Sequence, residues 1–166
     1  MAQIFPGRYT AQSDEPFVVF LIGMRVNKLL ALRSWTKVVA AMPPMIAELK
    51  RDPNLGLLHA EYFVYWRGLG LIQYWRSFEQ LHAYAHARNA AHLPAWAEFN
   101  RRIGGNGVVG IWHETYTVGP GQFESIYANM PRFGLASAAR HVNVVGGINS
   151  AKLRMGKEDP DANQNL

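Results

Sequence analysis

The sequence predicts an α+β fold: an antiparallel sheet with helices on one face and an extra C-terminal strand as hairpin partner of its last one. Three observations predict it. Strand-length apolar runs and two segments of helical period follow one another in the order β-α-β-β-α-β, then one more short strand. The first run, Phe17-Val18-Val19-Phe20-Leu21-Ile22-Gly23-Met24, shows no polar alternation, so both of its faces are covered. Ser77-Phe78-Glu79-Gln80 is a capping box that starts the second helix directly after a strand.

Taken in order, residues 1–16 read as an arm, with Pro6-Gly7 and Ser13-Asp14-Glu15-Pro16 as breakers. The strand over 17–24 follows. Ser34 is placed to N-cap a helix over 35–51, in which Trp35, Val38, Val39, Met42, Met45, Ile46 and Leu49 share one side. Pro43-Pro44 is expected to kink or split it. Leu57 to Trp66 and Gly70 to Arg76 read as a hairpin turning at Arg67-Gly68. The long helical region 78–103 carries Phe78, Leu81, Ala85, His92, Trp96, Phe99 and Ile103 on its apolar side, and Pro94 breaks it near His92-Leu93. Val108 to Val118 is the fourth strand and Phe123 to Asn129 a shorter fifth. Beyond Phe133 the pattern fades, and residues 156–166 are polar and expected to be disordered. The main domain is therefore 17–135, with 136–166 as an extension.

Composition narrows the function classes. Charged residues make up 17% of the chain, below the roughly 25% usual for soluble domains. So few charges call for buried apolar surface, in an oligomer interface or a ligand cavity. The net charge of +5 comes from basic residues scattered singly, which argues against nucleic-acid binding. With no cysteine, thiolate chemistry, Zn–Cys sites and Fe–S clusters are excluded. The first fifteen residues show no signal-peptide pattern, and the longest apolar run is too short for a bilayer. The expectation is a cytoplasmic protein with no membrane contact.

The candidate site lies in the last strands. Gly110-Ile111-Trp112-His113-Glu114-Thr115-Tyr116 sets two titratable side chains next to each other inside an apolar strand. The pleat sends them to opposite faces, so at least one is expected to meet an interior or a pocket. Glu114 is also read as a partner for Arg76 or Arg25. Tyr127 and Asn129 alternate with Phe123 and Ser125 on one side, where a phenol and an amide can hold a developing oxyanion; alternatively Asn129 serves the Met130-Pro131 turn. His92 is a candidate general base or axial ligand, or a donor to helix-end carbonyls. Gln73, Trp75, Trp96 and Trp112 are the candidate walls of a pocket for an aromatic molecule, and Gln73 is the odd polar member of its strand. His82 and His86 are spaced for a metal but have no third ligand, so no metal site is expected.

The order β-α-β-β-α-β is the ferredoxin-like split βαβ arrangement. It leaves one sheet face without helices, and a second copy packed there would form a dimeric α/β barrel. Tyr74-Trp75-Arg76-Ser77-Phe78, His92 with Trp96 and Phe99, Gly110 to Tyr116, Tyr127-Ala128-Asn129-Met130-Pro131 and Phe133-Gly134 resemble a monooxygenase-like family. That family belongs with the antibiotic-biosynthesis monooxygenases of the dimeric α/β-barrel superfamily, and the resemblance spans residues 17–135. It implies a homodimer with a pocket between sheet and helices in each subunit, and a place in secondary metabolism. Related barrels oxygenate aromatic substrates without a cofactor, hold or degrade haem, or dehydrate aldoximes with haem. His92 matches the axial haem ligand of such relatives by position. Asn129 and Trp75 are the candidates for the Asn and Trp used by the cofactor-free enzymes.

Three functions are therefore expected in competition. The first is a cofactor-independent monooxygenase acting on a hydrophobic aromatic or enolisable molecule. There His92 or His113 is the base, and Tyr127 and Asn129 hold the oxyanion. The second is a haem protein ligated by His92. The third is a non-catalytic dimer that binds a small hydrophobic molecule.

Overall fold

A computed structural model describes residues 2–87 and 105–161. The chain forms two compact units, one of residues 18–116 and one of residues 1–17 with 117–166.

In the first unit β2 (Phe17–Val26), β3 (Leu57–Tyr65), β4 (Gly68–Trp75) and β5 (Val109–Val118) form a sheet in the order β3-β4-β2-β5. This is the ferredoxin-like order for a β-α-β-β-α-β chain, with α1 (Leu32–Arg51) and α2 (Phe78–His86) as the described helices. β2 is an interior strand and none of its residues is exposed, as its unbroken apolar sequence requires. Val18, Met24 and Val26 point to the helices and join Met42, Ile46 and Leu49 of α1 and Leu81 and Tyr84 of α2 in one core. Burying each of the aliphatic side chains in this group is worth about 1.5–3 kcal/mol.

α1 starts earlier than the spacing predicts, after Ala31, with no side-chain cap. It runs unbroken through Pro43 and Pro44 to Arg51. Both prolines lie on its exposed side, so the missing N–H groups and the rings face solvent and the buried stripe continues past them. The β3–β4 hairpin turns at Trp66-Arg67, one residue before the predicted place, with Arg67 in the left-handed region at φ 56°. Ser77 caps α2 as predicted: its Oγ accepts the Gln80 N–H at 3.2 Å. The Gln80 amide donates to the Asn54 carbonyl at 3.0 Å instead of returning to Ser77.

In the second unit β1 (Phe5–Gln12), β6 (Tyr127–Met130) and β7 (Arg140–Asn143) form a separate sheet in the order β6-β1-β7. Two expectations change here. The segment read as an arm is the central strand of this sheet. The last predicted strand pairs with it and not with β5. The breaker signal was real but local: Pro6-Gly7 is a bulge between the Phe5↔Met130 and Arg8↔Ala128 pairs, with Gly7 at φ 93°. Ordered elements also continue into the C-terminal extension, in α3 (Leu135–Ala138), β7 and α4 (Ala151–Arg154). Among the described residues, no helix is long and apolar enough to cross a membrane.

Candidate active site

The helix-facing side of the first sheet carries a buried polar chain. Gln73 and Trp75 alternate on β4 and are 6% and 1% exposed. The Trp75 indole N–H donates to Gln73 Oε1 at 2.9 Å, so the amide in the apolar strand has a partner. The Trp75 ring lies 5.9 Å from that of Tyr84 on α2. Tyr84 Oη donates to Glu48 Oε2 on α1 at 2.9 Å. Burial, with Glu48 next in importance, pushes the Tyr84 phenol far above its ordinary range, so it stays protonated and acts as a donor. Sequence reasoning found Gln73 and Trp75 but missed Tyr84 and Glu48, because their pairing depends on how two helices meet.

His113 lies on this same side. Its ring is 5.6 Å from Phe20, but the side chain is exposed. Glu114, on the opposite face, is also exposed, so neither titratable group of β5 meets the enclosed space expected for one of them. The physical reason is that β5 is an edge strand and its residues 113–117 are all exposed. Glu114 pairs with neither arginine. It accepts the Tyr116 hydroxyl at 2.6 Å, and that bond holds the Tyr116 phenol above its ordinary range. Arg25 instead stacks over Trp66, 4.5 Å from the ring centroid.

Trp112 is separated from Gln73 and Trp75 by the sheet itself. Gly23 and Gly70 face each other on β2 and β4, on the face away from the helices, and Trp112 lies over Gly23 while Phe63 lies over Gly70. The Trp112 indole N–H donates to Tyr65 Oη at 2.6 Å, and Tyr65 donates to the Met24 carbonyl at 2.8 Å. The Tyr65 and Trp112 rings meet edge to face, with centroids 6.0 Å apart. The expected wall of four residues is thus divided: Gln73 and Trp75 face the helices, Trp112 faces away, and Trp96 lies outside the described residues, as does His92.

Tyr127 and Asn129 belong to the other unit. Tyr127 Oη accepts the Ala136 N–H at 3.3 Å. Asn129 sits in the left-handed region at φ 54° and its Oδ1 accepts the Gly7 N–H at 2.9 Å. Two further features escaped sequence reasoning. His59 and Glu61 on β3 pair at 2.8 Å, a same-face i, i+2 pair that the strand period predicts. His141 on β7 stacks on Tyr9 with ring centroids 4.5 Å apart. Among the described residues, no three His, Asp or Glu side chains gather as a metal would require.

The profile of the monooxygenase af470-like family matches residues 17–135. Monooxygenase af470 of Aspergillus fumigatus is 30% identical over 200 aligned positions, which span 96% of this chain and 70% of that protein. Among solved structures, SnoaB of Streptomyces nogalater, a cofactor-independent oxygenase, is 15% identical with a TM-score of 0.43 over 61% of this chain and 92% of its own. A conserved protein of Bacteroides thetaiotaomicron described as a possible oxidoreductase is also 15% identical, with a TM-score of 0.43 over 63% of this chain and 99% of its own. The assignment rests on the first two matches, which run through the helices and strands of the four-stranded sheet: the chain belongs to the monooxygenase af470-like family.

Proposed function

We propose that this protein is a small monooxygenase that acts on a hydrophobic aromatic or enolisable molecule without a bound cofactor, as a homodimer. Family membership over 17–135 carries the reading. The helix-facing side of the sheet supports the substrate class: an apolar, aromatic interior with one buried amide has the chemistry that suits a planar molecule held by a single polar contact.

In this proposal the substrate supplies its own electrons. A base removes a proton from an activated CH₂, and the resulting enolate or phenolate passes one electron to O₂. The radical and superoxide combine to a peroxide, which loses water to leave a carbonyl. The balance is R₂CH₂ + O₂ → R₂C=O + H₂O, with no external reductant. His113, on the Gln73 side, is the base among the described residues; His92 is the alternative. Gln73 and Trp75 orient the ring. Tyr127 and Asn129, the other candidates for holding an oxyanion, belong to the second unit and take no part in this proposal. The haem alternative depends on His92, and nothing among the described residues adds to it.

The test is oxygen uptake by the purified chain on a panel of phenols and enols. One O₂ consumed per substrate, with a single ¹⁸O incorporated from ¹⁸O₂, is the expected result. His113→Ala is expected to slow turnover by about 10²–10⁴-fold, the usual worth of a general base. Substrate binding without oxygen consumption across the panel would move the protein to the non-catalytic binding class.

A further inference from the structure

The second unit holds an aromatic cluster that the oxygenase reading does not use. Phe5 meets His141 at 4.8 Å and Tyr9 at 5.6 Å between ring centroids, and Tyr127 meets His141 at 6.2 Å. Phe5 is therefore a fixed ring. It also forms one wall of a concave space of about 410 Å³ lined by Ala2, Gln3, Phe5, Pro131 and Arg132, a volume within the range of small-molecule sites. The Arg132 guanidinium stands 5.7 Å from the Phe5 centroid. Among the described residues, no carboxylate pairs with Arg132. A cation without a counter-ion and a preorganised ring thus share one cleft.

We propose that this cleft binds a planar aromatic carboxylate, with its ring on Phe5 and Pro131 and its carboxylate on the Arg132 fork. The carboxylate would supply the two acceptors that a guanidinium takes in parallel. Gln3 at the rim adds an amide. The site lies in a different unit from Gln73, Trp75 and His113, so the proposal stands or falls separately from the oxygenase reading.

A neighbouring group reports occupancy. Burial, and next the charge of Arg132, lower the His141 pKa. A bound anion offsets that charge and raises it. The experiment titrates the full chain with 2-naphthoate, and with neutral 2-naphthamide as control, by calorimetry and by the His141 ring resonances. Saturable naphthoate binding is expected, about tenfold weaker in Arg132→Gln and for the amide, with His141 titrating at higher pH when the site is filled. Absence of saturation at millimolar naphthoate overturns the proposal. So does binding that Arg132→Gln leaves unchanged, or that leaves His141 unmoved, since either places the ligand elsewhere.

Discussion

A Cβ added at Gly23 would lie 2.7 Å from the Trp112 indole nitrogen and 2.8–2.9 Å from its ring carbons. That ring cannot swing aside without losing its hydrogen bond to Tyr65. Gly23→Ala is therefore expected to destabilise the chain by about 1–3 kcal/mol, the usual cost of overpacking. Gly147→Ala, where no atom lies within 4 Å, is expected to change little; urea denaturation of the pair checks this, and equal midpoints would show that the indole is free to move. Gln73→Leu removes the acceptor of a buried indole N–H and is expected to cost about 1–3 kcal/mol, read by the same method. The polar oddity of Gln73 was legible in the sequence because strand alternation marks it. Its bond to Trp75 follows from the same period, since i and i+2 share a face. The Glu48–Tyr84 bond was not legible, because the two residues are 36 positions apart and only the packing of α1 against α2 brings them together. His113 and Glu114 misled for a related reason: the pattern assigns opposite faces correctly but does not say that the strand is at an edge.

Elements were legible where the local chemistry is self-contained. Ser77 caps α2 from within its own four residues, and Ser77→Ala is expected to cost about 1 kcal/mol of stability, measurable by thermal or urea unfolding. β1 was illegible because its pairing partners, β6 and β7, lie more than a hundred residues away and its bulge carries breaker residues. His141 was equally hidden, in a segment without hydrophobic period. Its Nε2 is buried with no hydrogen-bond partner, and its ring is fixed between Tyr9, Phe5 and Tyr127. Among the described residues, Tyr9 on β1, Tyr127 on β6, Arg132 after it and the adjacent Arg140 are the ionisable groups around it, and Arg140 is paired with Asp14. The folded chain thus holds the His141 pKa below the ordinary 6.5. Below pH 6.5 the unfolded chain binds more protons than the folded one, so this contribution is intact above 6.5 and is lost as pH falls through the depressed value. Denaturation at pH 7.5 and pH 5 is expected to show a larger loss for the native chain than for His141→Phe. Parallel losses would mean that the ring titrates as freely as in the unfolded chain.

At the scale of the whole molecule, the order of elements and the covered first strand were enough to give the ferredoxin-like sheet, because β-α-β-β-α-β chains have few ways to cover one apolar face. The second sheet was not foreseen, since it depends on the two ends of the chain pairing with each other. What the first sheet offers on the face away from α1 and α2 bears on the proposed dimer. Val19, Leu21, Phe63, Tyr65, Ile72 and Trp112 are all half-buried there, and the Trp112 and Phe63 rings fill the space over Gly23 and Gly70, so the centre of this face is apolar and aromatic. A stable pair of protomers needs about 1,200–2,000 Å² of total buried surface, and a carboxylate without a partner at the middle of such an interface is costly. Ile72, opposite Leu21 across the β2–β4 ladder, is central to that surface. Sedimentation velocity of the native chain is expected to give twice the chain mass, and Ile72→Glu to give a folded monomer by circular dichroism. Val64→Glu, at a side chain 84% exposed on the other face of β3, is expected to leave the dimer intact. A native chain that sediments as a monomer at every concentration, or an Ile72→Glu variant that still dimerises, would place the second copy elsewhere or remove it.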